Sequence, residues 1–379
     1  MKLFACCVFA STAVSSVSSA QPIVGAIRWD AYWSQPGYAD FEDPNLGVVT
    51  RTTTYDMSPK EWHYRVPFFG QEVNDTAITC DGNRSDVMGQ ELEYAASHGI
   101  KFWSFCNYPI GCSDMHPAAE DCPDIQCCAD NVGLSYAWNQ YLQHPDRHKV
   151  NFTLLLQPGY WFPTALKGGN ETLAEELARY VSYFRMPNYQ KVLGDRPLVF
   201  LFGAPVEEAH LLALRNATHD ALGVFPYVAS MNGQELDGID SASQYAQGGG
   251  TPDGAPFVSH IVQKSQAFWD SHAQSGKAII PTVHAGWDPR PRYWNGTYPC
   301  PWGHVGNSYV TDPTMAELEN YTYQGLQWVA EHRAVAEANV LMLSAWNEHD
   351  EGHWIAPALP QYGGTEKLEA IKRAIDRAA

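Results

Sequence analysis

The chain has 379 residues, and its 42 acidic and 24 basic side chains give a formal net charge of −18 at pH 7. A surface of this sign repels phosphate backbones and anionic lipids, so nucleic acid and anionic membranes are excluded as partners. The 13 Trp and 20 Tyr form an aromatic excess that suits a sugar-binding cleft, although most of these rings are expected in the core.

The first 20 residues have the pattern of a secretory signal peptide. Lys2 supplies the basic start, residues 3–14 an apolar centre, and residues 18–20 a small-residue cleavage site. The apolar centre is shorter than the roughly 20 residues that a spanning helix requires. We therefore predict that residues 1–20 are removed. The mature chain 21–379 is then secreted, or lies in the lumen of the secretory pathway, without membrane insertion.

Apolar, β-branched runs alternate with amphipathic stretches along the mature chain. Eight runs are typical of strands buried on both faces: residues 23–31, 100–108, 150–157, 198–202, 227–231, 241–246, 278–284 and 340–346. The amphipathic stretches predict helices at residues 87–98, 172–184, 206–222, 257–274, 315–338 and 366–378. This alternation predicts one α/β domain over residues 21–379, a (β/α)8 TIM barrel with long βα loops.

A doubly wound parallel sheet is the structural alternative to the barrel. That fold places a glycine-rich phosphate-binding turn after the first strand. Here the first strand is followed by the sequence WDAYW at residues 29–33, which favours the barrel.

Seven cysteines remain after the signal peptide. In an oxidising compartment they predict disulfide bonds that hold the long loop after the second strand, and the odd count leaves at least one free thiol or an intermolecular bond. Five are clustered and two stand apart; they are Cys106, Cys112, Cys122, Cys127 and Cys128, with Cys80 and Cys300.

Seven Asn-X-Ser/Thr sequons predict N-linked glycans on a eukaryotic secretory protein. Chance sequons in an exported bacterial protein are the alternative. The sites are Asn74, Asn83, Asn151, Asn170, Asn216, Asn295 and Asn320.

Polar and aromatic side chains follow most of the predicted strands. In a barrel the carboxyl ends of all strands meet at one face, so we predict that these side chains line one substrate site. Taken singly, each is equally compatible with a structural role. The predicted substrate-binding residues are Asp30, Trp33, Tyr108, Gln157, Trp161, His284, Trp287, Asp288, Arg292, Trp346 and Asn347.

Glu348 and Glu351 follow the last predicted strand and are the predicted catalytic residues. Paired carboxylates beside aromatic rings suit glycoside hydrolysis, in which one acid protonates the departing oxygen and a second group assists attack. Two acids in the first turn of a helix are the structural alternative. Gly352 and Pro357 disfavour a helix there.

A metal site is a further alternative, because His349 and His353 are four residues apart. The zinc metalloprotease motif that has this spacing needs Glu directly after the first His, on a helix. Asp350 occupies that position, so no metal and no cofactor are predicted.

Three stretches in chain order resemble the glycoside hydrolase family 99-like group, which contains the endo-α-mannosidases and the WbsX-like proteins. The closing motif is WNExxEG at residues 346–352. The others are YFxxPNY at residues 183–189 leading into GDRP at 194–197, and GWDxxPR at residues 286–292.

This resemblance implies a (β/α)8 barrel that cleaves an α-linked polysaccharide or glycan, such as an α-mannoside, with retention. It implies that Glu348 deprotonates the sugar 2-hydroxyl, whose oxygen closes onto the anomeric carbon to form a 1,2-anhydro sugar. It implies that Glu351 is the acid for the leaving group and then the base for water. A non-catalytic glycan-binding barrel and a metal-dependent hydrolase are the other functional hypotheses.

Overall fold

The computed structural model describes residues 21–34, 41–50, 52–107, 136–158, 162–163, 171–293 and 307–379. The strands in these segments are β1 (Ile23–Arg28), β2 (Phe41–Asp43), β3 (Val48–Thr50), β4 (Gly70–Asn74), β5 (Ala77–Cys80), β6 (Phe102–Cys106), β7 (Asn151–Leu156), β8 (Lys191–Val192), β9 (Arg196–Leu201), β10 (Tyr227–Ser230), β11 (Ser241–Ala242), β12 (Thr282–His284), β13 (Val340–Ser344), β14 (Asn347–Glu348) and β15 (His353–Trp354). The α-helices there are α1 (Thr52–Asp56), α2 (Ser85–Ser97), α3 (Tyr136–Gln143), α4 (Leu173–Phe184), α5 (Glu208–Leu222), α6 (Gln263–Ser275), α7 (Met315–Glu331) and α8 (Glu366–Ala378).

Eight parallel strands form the central sheet in the order β11-β10-β9-β7-β6-β1-β13-β12. The two ends of this sheet meet through a parallel bridge between Ala242, in β11, and Ile279, just before β12. Two backbone hydrogen bonds support the bridge, from the Ala242 amide to the Ala278 carbonyl (3.0 Å) and from the Ile280 amide to the Ala242 carbonyl (2.8 Å). All eight predicted strands are therefore present, and the predicted (β/α)8 barrel is confirmed.

Helices cover the barrel on the outside because each crossover between parallel strands needs a long return segment. Seven of the eight strands are followed by one of the helices α2 to α8. The link from β10 to β11, residues 231–240, has no helix and is a short irregular loop. Helices α4 and α7 begin with capping boxes at Thr172 and Thr314. In each box the Thr hydroxyl accepts from the backbone amide of the Glu three residues later, and the carboxylate of that Glu accepts from the Thr backbone amide.

Two apolar layers hold the barrel together. Alternate strand residues such as Ile27, Phe102, Leu155, Phe200 and Met342 fill the interior. The other face of each strand packs with the helices in a larger cluster rich in aromatic rings. Burial on both faces explains why the strands have nearly continuous apolar sequences.

The helix predictions differ from the structure mainly at two places. Helix α7 ends at Glu331 rather than near residue 338, because residues 333–338 turn back into β13 through Asn339, which has a φ of 54°. Helix α3 was not predicted, and its eight residues bury Tyr136, Trp138 and Tyr141. No helix of the described segments is both long and apolar enough to cross a membrane.

The prediction that Cys106 belongs to a disulfide-linked loop is wrong. Cys106 ends β6 inside the barrel and is a buried free thiol, and so is Cys80 at the end of β5. The Cys106 side chain packs in the barrel interior. The other five mature cysteines lie outside the described residues.

Candidate active site

A tight hairpin at the carboxyl end of the barrel carries the two predicted acids. Strand β14 pairs antiparallel with β15, so that Glu348 lies opposite His353. The turn between them needs Gly352, whose φ is +77°, and a Cβ there would lie 2.6 Å from the Asp288 backbone nitrogen. The Asp288 amide in turn donates to the Glu351 carbonyl at 2.6 Å, which ties the hairpin to the segment after β12.

Glu348 is buried, and its two carboxylate oxygens have different surroundings. Its Oε1 accepts a hydrogen bond from the Tyr245 hydroxyl at 2.5 Å. Its Oε2 has no hydrogen-bond partner among the described residues and lies 3.9 Å from Nη2 of Arg292. Burial, with Glu351 and Asp350 nearby, raises the pKa of Glu348 well above its usual range, against the opposing effects of Arg292 and Tyr245.

Glu351 lies next to Glu348 and has partners on both oxygens. Nη1 of Arg292 donates to its Oε1 at 2.5 Å, and Nε2 of His353 lies 2.8 Å from its Oε2. Nδ1 of His353 meets the Ser344 hydroxyl at 3.0 Å. Glu348, Glu351 and His353 each place one polar atom within 4.8 Å of the others. The predicted convergence of Glu348 and Glu351 is therefore present in the structure.

Arg292 is the buried cation at the centre of this cluster. In addition to Glu351, it donates from Nε to Oδ2 of Asp350 at 2.5 Å. The hydroxyl of Tyr32 donates to the other oxygen of Asp350. One guanidinium thus faces three carboxylates, which leaves the cluster with an excess of negative charge when all three are ionised.

His284 ends β12 and is fully buried, with no hydrogen-bond partner for either ring nitrogen among the described residues. Burial and the neighbouring His353 lower the pKa of His284 to about 3, so its imidazole is neutral at physiological pH. A neutral imidazole offers one donor and one acceptor. His284 is accordingly a polar group whose hydrogen-bonding capacity the surrounding protein does not use.

Three of the predicted substrate-binding residues support the hairpin instead of facing a cleft. Asn347 donates to Asp30 (3.1 Å) and accepts from the Trp29 amide (2.9 Å), while burial raises the pKa of Asp30 to about 6. Trp346 is 0 % exposed, and its indole donates to Glu91 at 2.9 Å. In this structure the Trp346 ring is therefore enclosed by the protein and does not face a cleft.

The other predicted substrate-binding residues differ in how deeply they are buried. Asp288 is buried between the guanidinium groups of Arg65 and Arg290, and Trp33 is 3 % exposed within the layer between barrel and helices. Neither side chain is therefore open to a ligand in this structure. Trp287 is largely buried with its ring 5.5 Å from that of His353, and Gln157 follows β7 half-buried. Tyr108 and Trp161 lie outside the described residues.

Other aromatic rings are available at the barrel mouth. Trp29, Phe202 and Tyr245 are each partly exposed and pack on the top of the interior cluster. The ring of Tyr245 stacks on that of Phe202 at 4.0 Å, and the Arg292 guanidinium lies 5.4 Å from the Trp29 ring. Sequence reasoning missed Tyr245 and Phe202 as site residues. Phe202 is the last residue of the fourth predicted strand and Tyr245 the penultimate residue of the sixth, so applying the strand-end rule to these two strands would have found them.

The chemistry of the cluster does not favour a metal ion. Glu348, Glu351 and His353 are close enough to share a cation, yet Arg292 already supplies a positive charge to the two carboxylates. His349 faces elsewhere, with Nδ1 2.6 Å from the Arg65 carbonyl and its ring stacked on Trp354. The two histidines of the candidate zinc motif therefore do not converge.

Solved structures with a similar fold include glycoside hydrolase-like proteins. One described as a glycoside hydrolase-like protein is 12% identical, with a TM-score of 0.54 over 94% of each chain. A GH99 endo-alpha-mannosidase from Bacteroides thetaiotaomicron, in complex with BIS-TRIS-propane, is 14% identical, with a TM-score of 0.51 over 94% of this chain and 97% of its own. No family model and no curated protein matches the sequence. The resemblance to the family 99-like group is thus confirmed at the level of the fold.

Proposed function

We propose that this protein is a glycoside hydrolase that cleaves an α-linked polysaccharide or glycan with retention of the anomeric configuration. The observation that carries the proposal is the close approach of Glu348 and Glu351, whose oxygens lie within 4.8 Å on one hairpin. Inverting enzymes separate their carboxyl groups by roughly 6.5–9.5 Å to admit a water molecule, whereas retaining pairs lie about 5–5.5 Å apart. The separation is too short for an inverting pair and therefore supports retention. In the route below the nucleophile is the sugar 2-oxygen and not a carboxylate.

The two carboxylates differ in their surroundings, which supports different roles. Glu348 keeps Oε2 without a hydrogen-bond partner in the described segments, so a sugar hydroxyl can donate to it. In the proposed reaction Glu348 accepts the 2-hydroxyl proton while the 2-oxygen bonds to the anomeric carbon. The bond to the leaving oxygen breaks, and Glu351 gives that oxygen its proton. Glu351 then removes a proton from the water that attacks the anomeric carbon. The bond from that carbon to the 2-oxygen breaks, and Glu348 returns its proton to the 2-oxygen.

Arg292 and His353 position the acid in this scheme. They hold both oxygens of Glu351, and His353 is itself fixed by Ser344. The partly exposed rings of Trp29 and Tyr245 would contact the sugar at the same face. An α-mannoside is the proposed substrate class, in line with the endo-alpha-mannosidase that shares the fold.

Comparing Glu351→Gln with Glu348→Gln tests the roles on two substrates. On α-linked mannan, both variants should lose 10²-fold to 10⁴-fold in kcat, the usual contribution of general acid–base catalysis. On α-mannosyl fluoride, whose leaving group needs no proton, Glu351→Gln should still release fluoride in a single turnover, whereas Glu348→Gln should not. Glu208→Gln, an exposed acid at the start of α5, is the matched control.

Proton NMR of the first product gives the stereochemical outcome. The α-anomer should form first, and a β-anomer would remove the retaining mechanism. Full activity of Glu351→Gln on mannan would overturn its assignment as the acid. Loss of activity with EDTA would favour a metal-dependent hydrolase, and mannan binding without turnover in the wild type would favour a glycan-binding protein.

A further inference from the structure

A second cavity, of about 160 Å³, lies beside the hairpin but is not lined by Glu348, Glu351 or Arg292. Aromatic and charged side chains dominate its lining, and the ones used below are Tyr64, Trp354, Tyr362, Asp312, Glu366 and Lys367. Because a water molecule occupies about 30 Å³ in the liquid, this volume admits a small ring or several waters.

Lys367 brings an unsatisfied polar group into this cavity. Its Nζ is buried, lies 3.3 Å above the Trp354 ring, and has no hydrogen-bond partner among the described residues. Burial lowers the pKa of Lys367 to about 7, while Asp312 opposes the shift. The contact with Trp354 uses one side of the ammonium, but none of its N–H groups has an acceptor within the described segments. A buried donor of this kind is costly unless something in the cavity accepts from it.

The other polar groups of the cavity are acceptors near its opening. Asp312 and Glu366 are both exposed, and Asp312 accepts from the Tyr64 hydroxyl at 3.2 Å. Two carboxylates at the opening repel an anionic ligand. They do accept hydrogen bonds from hydroxyl groups, and the half-buried Tyr362 in the same lining offers apolar ring surface.

We infer that this cavity binds one uncharged sugar unit of a glycan, as a site separate from the catalytic carboxylates. Lys367 donates to a ring or hydroxyl oxygen, Asp312 accepts from a hydroxyl, and the half-buried ring of Tyr362 lies against the sugar. The choice of a sugar rests on the proposed function. The cavity would hold a neighbouring unit or branch of the polymer while the hairpin acts on another.

Isothermal titration with methyl α-mannopyranoside tests this site. Lys367→Met should weaken binding at least tenfold, and Asp312→Asn, a change at an exposed position, at least threefold. Lys372→Met on the same helix is the control, since Lys372 is exposed and pairs only with Asp376 among the described residues. Fluoride release from α-mannosyl fluoride by Lys367→Met should stay within twofold of wild type, because the reacting groups are untouched.

Several results would overturn the inference. Unchanged affinity in Lys367→Met, with the fold intact by circular dichroism, would remove Lys367 as a ligand. Tighter binding of glucuronate or acetate than of the mannoside would make the cavity an anion site. Loss of mannoside binding in Glu348→Gln but not in Lys367→Met would place the ligand at the catalytic hairpin. A failure of hydrolysis alone would refute the proposed function and leave the binding result intact.

Discussion

Three carboxylates share one guanidinium at the mouth of the barrel, and this imbalance defines the site at the scale of single residues. Glu348, Asp350 and Glu351 are all buried around Arg292. Burying ionised carboxylates without full compensation is costly, so the cluster retains a proton near neutral pH. Burial and the neighbouring Glu351 and Asp350 raise the pKa of Glu348, as expected for carboxylates that share one proton.

Tyr245→Phe should move the acidic limb of the pH profile upward. The Tyr245 hydroxyl donates to Glu348 and lowers the pKa of that carboxyl, so its removal raises the pKa. A hydrogen bond to a charged group contributes about 1.5–3 kcal/mol, which corresponds to about 1–2 pH units. If Glu348 acts as a base, kcat/KM should fall more at pH 5 than at pH 8.

The measurement is kcat/KM on α-mannosyl fluoride from pH 4 to pH 9. The phenylalanine ring can still stack on Phe202, so the variant removes the hydroxyl without opening a cavity. Tyr323→Phe, on α7 and outside the site, is the control. An acidic limb that stays in place or moves to lower pH would contradict the role of Glu348 as a base.

At the scale of secondary structure, the β14–β15 hairpin determines where the acids lie. Gly352→Ala should both destabilise the protein and reduce activity. The positive φ disfavours any side chain, and the new Cβ would in addition collide with the Asp288 backbone. Strain at such a position costs about 1–3 kcal/mol, and relief of the collision must shift the turn that carries Glu351.

Gly223→Ala is the control that separates a loss of stability from a loss of activity. Gly223 ends α5 with a φ of +74°, and a Cβ there meets no atom within 4 Å. We therefore expect Gly223→Ala to lose about 1–2 kcal/mol in urea unfolding with unchanged kcat. Equal kcat in Gly352→Ala and Gly223→Ala would show that the hairpin geometry does not set the reaction rate.

The eight barrel strands could be predicted because burial on both faces gives each one an apolar sequence. The two-residue strands of the β14–β15 hairpin could not, since Asn347 and Glu348 carry no β-type pattern. Strand ends were also predictable, but the direction of each side chain was not. Trp346 turns outward to Glu91, whereas Glu348, two residues later, faces Arg292. That difference depends on the hairpin, which only the three-dimensional structure reveals.

At the scale of the whole molecule, the barrel separates the amino-terminal ends of its strands from the β14–β15 hairpin at the opposite end. Asn151 begins β7 at the amino-terminal end, where its backbone amide bonds to Lys101 and its side chain to Gln190. The charged cluster and the second cavity both involve the hairpin at the opposite end. Substitutions near Asn151 should therefore act on folding, and those in the hairpin on catalysis.

We propose that the chain is secreted and glycosylated, and the exposure of its sequons predicts where. Asn74, Asn216 and Asn320 are exposed, so each can carry a glycan on the folded surface. Asn151 is half-buried, and its Nδ2 donates to Gln190 at 3.1 Å. A glycan on this nitrogen would replace one of its two hydrogens and crowd the start of β7 beside Gln190, so chains modified there should fold poorly.

Peptide mass spectrometry of protein secreted by a eukaryotic host checks this pattern. We expect glycans on Asn74, Asn216 and Asn320 and an unmodified Asn151. Asn74→Gln should reduce the secreted mass by one glycan, whereas Asn151→Gln should leave the number of glycans unchanged. A mature amino terminus at Gln21 would agree with the predicted signal peptide. Glycosylated Asn151 in the secreted fraction would show that the start of β7 tolerates the modification, and folded-state burial would then not govern which sequons are used.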